Sequence, residues 1–276
     1  MSEGPPRADT GRRVAGSEPL LTVTGLRVTF AGEVDALRDV SFTLDAGQSL
    51  AIVGESGSGK STLALCLLGL IQPPVATGSV LLAGTEMLGQ TEAVMRSLRW
   101  SVAALALQGS PFNPVVTVGA QIVEPLRDRN RSSRSDAHRR AAVLAEEVAL
   151  DPLLLDRYPH QLSGGERRRA SLAMVLALDP ALVILDEPTA GLDPSTRADL
   201  VERIVALSAR RGFATIVISH DLPDAAALAE RTIVLYAGKA IEDGDTASVM
   251  LDPVHPYSSA LINAFPVMST TKDLRP

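Results

Sequence analysis

The sequence predicts an α/β fold with a mostly parallel core sheet, an antiparallel β-subdomain and an α-helical subdomain. Three observations carry that expectation. Runs at residues 50–53, 181–185 and 214–218 are apolar, Thr215 excepted, and alternate with helix-forming stretches, the pattern of parallel strands covered on both faces. Residues 40–44 alternate apolar and polar side chains instead, which marks a strand with one wet face. From Val115 to about Asp156 the pattern turns helical, with Ile122 and Leu126 one turn apart and Arg139-Arg140 and Glu146-Glu147 facing outward.

In chain order, residues 20–24 and 26–30 read as strand, with Gly25 as a bulge or bend, followed by the strand 40–44 and the turn Asp45-Ala46-Gly47. Residues 49–53 form a short strand before the glycine-rich stretch Gly54-Glu55-Ser56-Gly57-Ser58-Gly59-Lys60-Ser61, and Thr62 opens a helical run. Strands are expected at 78–84 and 101–107, the second ending at Gln108 and a loop containing Pro111, Asn113 and Pro114. A helix from Arg167 to Leu178, a strand over 181–185, a helix over 196–210, a strand over 214–218, a short helix over 224–230 and a strand over 232–236 complete the alternation. Residues 1–18 are polar and rich in Gly and Pro, and read as a disordered tail without a signal-peptide core.

Composition narrows the function. With 46% hydrophobic residues, 276 residues can build a real core, and the net charge of −6 argues against nucleic acid as a partner. The single cysteine, Cys66, sits in an apolar helical run as a buried thiol and permits no internal disulfide, which suits a reducing compartment. The longest apolar stretch, 173–185, is broken by Asp179-Pro180, so any membrane role is expected to come through a partner.

The chemistry starts at residues 54–61, which fit G-x-x-x-x-G-K-[ST], the loop whose backbone N–H groups cradle phosphates. Nucleotide contacts are expected from Gly54, Glu55, Ser56, Gly57, Ser58, Gly59, Lys60, Ser61 and Thr62, with Lys60 on the β- and γ-phosphates of ATP and the Ser61 hydroxyl on Mg²⁺. The apolar run 182–185 ends in Asp186-Glu187, at the edge where ligands gather in open α/β sheets. Asp186 is expected to hold Mg²⁺ and Glu187 to polarise the attacking water. Ser163-Gly164-Gly165 stands before a helix, a second anion-ready N-terminus that also reads as a plain N-cap.

The phosphate loop, Gln108, Leu162-Ser163-Gly164-Gly165-Glu166, Asp186-Glu187, Gly191-Leu192-Asp193 and His220 follow one another in an order that resembles the ATPase domains of ABC transporters, over roughly residues 19–250. The resemblance implies a P-loop ABC-type ATPase with its helical subdomain at about 109–166. It further implies that Gln108 senses Mg²⁺ and the attacking water and links core to helical subdomain. Ser163 and Gly165 would touch the γ-phosphate of ATP held by a second ATPase subunit, identical or paralogous; Asp193 would lie at the dimer seam and His220 on the γ-phosphate. Phe30 is a candidate for stacking on adenine, its other reading being a sheet core residue.

Tyr158-Pro159-His160-Gln161 before the signature and His255-Pro256-Tyr257 near the end are similar to the oligopeptide, dipeptide and nickel importer ATPases, with residues 252–276 as their C-terminal extension. That resemblance implies import powered at the cytoplasmic face of the membrane, through two transmembrane permease subunits fed by an extracytoplasmic solute-binding protein. Peptides are the expected solute, with nickel or a metal chelate as the alternative. Two departures stand out: the segment after Gln108 is about two residues shorter than in that subfamily, and Arg168 occupies a position usually held by Gln. A non-transport ABC ATPase acting on nucleic acid or ribosomes would carry a long coiled coil or two ATPase domains. Here about a hundred residues without sustained heptads separate Lys60 from Ser163.

Overall fold

The computed structural model describes residues 18–31, 34–107, 109, 111–130 and 133–264. Gln108, Pro266 and the stretch 1–17 of the expected tail lie outside the described residues. The chain runs β1 (Leu21–Phe30), β2 (Val34–Leu44), β3 (Ser49–Val53), α1 (Lys60–Leu67), β4 (Ala76–Leu82), β5 (Thr85–Glu86), α2 (Glu92–Leu98), β6 (Ala103–Ala106), α3 (Val118–Asn130), α4 (Arg134–Glu147) and α5 (Gly164–Val175). It continues through β7 (Leu182–Asp186), α6 (Pro194–Arg211), β8 (Ala214–Ser219), α7 (Leu222–Leu228), β9 (Arg231–Tyr236), β10 (Lys239–Asp245), α8 (Thr246–Leu251) and α9 (Pro256–Asn263). Among the described residues, no helix is long and apolar enough to cross a membrane.

The two kinds of strand expected from the sequence form two sheets. One is antiparallel, in the order β2-β1-β4-β5; the other is β10-β9-β3-β8-β7-β6, parallel except for β10 against β9. The bend expected at Gly25 is present: the β1–β2 register shifts between Val23 and Leu26.

The apolar runs of the core strands point in two directions because they are covered twice. Leu50 and Ile52 of β3, Ile184 of β7, Ile216 of β8 and Ile233 of β9 pack with α1 and the antiparallel sheet. Val183 and Leu185 of β7 and Val217 of β8 face the other way, into a cluster with α3, α4, α5 and α6. Ala51 and Val53 face that same side further along, against α7, α8 and the partly buried Tyr257, Leu261 and Ile262 of α9. Cys66 lies within the first cluster, fully buried, and burial pushes its thiol up to about 12.

Register places the site. Val53 at the end of β3 lies opposite Ser219 of β8, and Asp186 at the end of β7 lies opposite Ile218. Three neighbouring parallel strands therefore end level, and the residues that follow them (Gly54, Glu187 and His220) emerge on one edge.

Two expectations need correction. The helix after the signature begins at Gly164, three residues before Arg167, because Ser163 and Glu166 cap it reciprocally. Strand β10, helix α2 and helix α8 were not expected. The sequence of β10, KAIEDGD, has one large apolar residue and becomes a strand by pairing along β9.

Candidate functional site

The phosphate loop is shaped by what its glycines allow. Gly54 has φ +152°, and a Cβ there would lie 2.1 Å from the Leu235 carbonyl oxygen of β9. Gly59, at φ +106°, would place a Cβ 2.4 Å from the Ala36 carbonyl oxygen of β2. Only a residue without a side chain lets the loop lie against both strands. Gly59 also caps α1 without a side-chain acceptor, so the first N–H groups of that helix are left for a ligand. Glu55, Ser56, Gly57 and Ser61 are exposed, Gly59 and Thr62 half-buried, and Ser58 is buried.

Lys60 is almost wholly buried, and its ammonium donates to the carbonyls of Gly54 and Glu55 (2.7 Å each) and to Ser58 Oγ (3.3 Å). Burial lowers its pKa, against the opposing pull of Glu187, Asp186 and Glu55. The charge is thus held inside the loop by carbonyl oxygens that compensate it only in part, a cation matched to an anionic ligand.

Ser61 Oγ donates to Asp186 Oδ2 at 3.2 Å, joining the first turn of α1 to the end of β7. Burial raises the Asp186 pKa; the Ser61 hydrogen bond, Lys60 and Arg168 work against that rise, while neighbouring Glu187 adds to it. A hydroxyl and a carboxylate converging beside a phosphate loop are a hard-oxygen pair of the type Mg²⁺ accepts.

Glu187 is buried and held at both oxygens. Oε1 accepts the His220 backbone N–H (3.1 Å) and pairs with His220 Nδ1 (2.6 Å), while Oε2 accepts from Ser219 Oγ (3.4 Å). A carboxylate partner makes Nδ1 the donor, and the His220 side chain is 58% exposed. The Glu187 backbone is left-handed, φ +51°, and its N–H is bonded to the Ile218 carbonyl (2.9 Å). The carboxylate is aimed from a conformation that a residue with a Cβ adopts at a cost.

At the signature, Ser163 Oγ accepts the Glu166 N–H (3.3 Å) and Glu166 Oε2 accepts the Ser163 N–H (2.7 Å). Ser163 and Gly164 are exposed, and Gly165 is half-buried where α5 meets α6: a Cβ there would lie 2.6 Å from Thr196 Cγ2. Asp193 caps α6, accepting from Ser195 N–H, Ser195 Oγ and Thr196 N–H at 2.8–3.1 Å. Hydrogen bonds from Thr196 and then Ser195 hold its carboxyl well below the usual range. Phe30 ends β1 at 39% exposure, outside the core, on the hairpin whose Ala36 abuts Gly59.

The structure therefore brings Lys60, Ser61, Asp186, Glu187 and His220 together. Gly164 opens instead on a cleft lined by Phe112, Pro159, Arg167 and Leu192, away from the phosphate loop. Two further features belong to the site: the contacts of Arg168, which the sequence marks only as a departure, and those of Arg197, which it does not mark. Arg168 donates to the Leu107 and Gly109 carbonyls (3.4 and 3.3 Å); burial lowers its pKa, and Glu187 and Asp186 resist that. Arg167 was a helix start in the sequence, but Arg168 is the residue that ties α5 to the segment flanking position 108. Arg197 of α6 donates to buried Asp224 (2.6 Å), which also accepts from Thr189, and pairs with Asp221 (2.5 Å). This joins the segment before Asp193 to the residues just after His220. The partners lie 27 and 35 positions apart, so no local pattern could reveal them.

Comparison with known proteins converges on one family. The family model described as "ABC transporter" matches residues 37–190. Glutathione import ATP-binding protein GsiA of Salmonella choleraesuis is 39% identical over 93% of this chain, which spans 44% of that protein's length. Dipeptide transport ATP-binding protein DppD of Lactococcus lactis is 37% identical, covering 93% of this chain and 76% of its own length. The ATP-binding cassette MJ0796, solved as a dimer in a post-hydrolysis state bound to ADP and Pi, superposes with a TM-score of 0.76. It is 26% identical, with 82% of this chain and 98% of the cassette covered. With its phosphate loop, its acid pair and its signature in the places described, the chain belongs to the ABC transporter family.

Proposed function

We propose that this chain is the ATP-hydrolysing subunit of a peptide importer. The observation that carries the reading is the junction of Ser61 with Asp186 beside a Glu187 already oriented by Ser219 and His220. The names of the relatives, which include glutathione import and dipeptide transport proteins, support peptides as the cargo.

In this reading the loop from Gly54 to Thr62 wraps the phosphates of ATP, and Lys60 exchanges its carbonyl partners for phosphate oxygens. Ser61 and Asp186 would hold a Mg²⁺ ion, which would neutralise charge on the phosphates. Glu187 orients and polarises water for attack on the γ-phosphate, and His220, held through Nδ1, contacts the same group by donating from Nε2 when the ring carries both protons. Gln108 would sense the ion and the attacking water, and Phe30 would stack on adenine.

Ser163, Gly164, Gly165 and Asp193 act on nucleotide held by a second ATPase subunit, identical or paralogous, so that ATP closes the pair and hydrolysis opens it. Residues 19–251 form the ATPase unit, with the helical part at 109–166 and an extension from 252. The pair drives two permease subunits from the cytoplasmic face, supplied by an extracytoplasmic solute-binding protein.

The test is the ATPase activity of the assembled complex. Peptide with its binding protein should stimulate turnover, and Lys60→Ala should lower it at least ~100-fold, the scale of losing a group aimed at transition-state charge. Turnover retained by Lys60→Ala would sink the site assignment; a complex indifferent to peptides would sink the cargo.

A further inference from the structure

The structure gives the C-terminal helix a direct hold on the phosphate loop. Tyr257, on the first turn of α9, accepts the Glu55 backbone N–H at its hydroxyl, 3.2 Å away across 202 positions of sequence. The carbonyl of that same Gly54–Glu55 peptide unit accepts from Lys60 Nζ at 2.7 Å. One peptide plane is thus gripped at its N–H by Tyr257 and at its C=O by the lysine.

Tyr257 is fixed from several sides. His255 caps α9 with Nδ1, which accepts the Tyr257 N–H at 3.0 Å. The N–H groups of Val254 and His255 donate to the two carboxylate oxygens of Glu242 on β10 (2.8 and 3.1 Å). The Tyr257 ring packs on Tyr236 at the end of β9, with centroids 4.2 Å apart. Below it, Leu261 and Ile262 rest on the cluster that holds Ala51 and Val53 of β3. The His255-Pro256-Tyr257 string is therefore more than a helix start: it delivers a hydroxyl to the loop. Burial, the largest influence on its pKa, pushes the phenol upward, so the group stays neutral at physiological pH.

We propose that Tyr257 is a positioning residue for nucleotide binding, setting the tilt of the Gly54–Glu55 peptide and through it the carbonyl from which Lys60 is released to phosphate. The proposal rests on the reading that this loop holds ATP. When Lys60 turns to the nucleotide, its hold on the peptide carbonyl ends, and Tyr257 keeps the plane from rotating. The C-terminal helix then sets nucleotide affinity without touching nucleotide.

Tyr257→Phe in the full chain tests this, because it removes the hydroxyl and keeps the ring on Tyr236. Hydrogen exchange at the Glu55 amide should quicken and KM for ATP should rise, each by about two- to tenfold, the value of one net hydrogen bond. The kcat should change by less than about twofold, since only binding is affected. Tyr236→Phe, which alters the neighbouring ring and not the loop contact, should leave both readouts at the unsubstituted values. Unchanged Glu55 exchange in Tyr257→Phe overturns the proposal, and so does faster exchange with unchanged KM. A wild-type chain that binds no ATP overturns the reading of the loop and this proposal with it, and it reveals itself before any variant is made.

Discussion

The nucleotide end and the signature end of this chain use polar groups in opposite ways. At the nucleotide end Lys60, Asp186 and Glu187 are all at least nine-tenths buried; Lys60 is bonded within its own loop, while Asp186 and Glu187 take partners from distant elements of the chain. Burying charges is costly unless each is bonded: Lys60 donates to three oxygens and Asp186 accepts from Ser61, and burial still shifts the pKa of both. At the signature end Ser163 and Asp193 are exposed and satisfied by the first turns of their own helices. One region gathers buried charges beside a left-handed backbone position at Glu187; the other is a pair of helix starts. Function at the first should respond to chemistry, and at the second to shape.

The sharpest way to break that contrast is Glu187→Gln. It keeps an acceptor for His220 and removes the charge, so hydrolysis should fall ~100-fold or more while ATP binding persists. Nucleotide binding lost in parallel would mean that Glu187 is structural. Gly165→Val should act in the other way, costing the chain's own stability about 1–3 kcal/mol by overpacking against Thr196. A urea denaturation midpoint equal to that of the wild type would remove the close α5–α6 approach from the account. The smallest effect belongs to Ser163→Ala, about 1 kcal/mol through loss of the helix cap. If its hydrolysis falls much further than its stability, the hydroxyl has a duty beyond capping, as the proposed contact with a partner's nucleotide requires.

The same contrast explains what the sequence made legible. The β3–loop–α1 unit and the end of β7 could be read directly, since an apolar run followed by glycines or acids leaves few alternatives. The start of α5 was misplaced although its signal was present: Ser163 and Glu166 form a capping pair three residues apart, and the arginines at 167–169 drew the start too late. Strand β10 has almost no pattern of its own and takes its form from β9. The bonds of His220 to Glu187, Arg197 to Asp224 and Tyr257 to Glu55 connect residues far apart in the chain, and only the level strand ends and packed helices bring them into reach. What could be read was chemistry that needs neighbours in sequence; what could not was chemistry that needs neighbours in space.

The left-handed backbone at Glu187 sets durability against turnover at a single position. An Asn or Gly there would sit in that conformation with about 1 kcal/mol less strain and would remove a buried charge as well. If Glu187 polarises the attacking water as proposed, the sequence that best survives heating and the one that hydrolyses ATP differ at residue 187. On that reading, a search for thermostable variants that scored folding alone would be drawn toward a cassette without its proposed base.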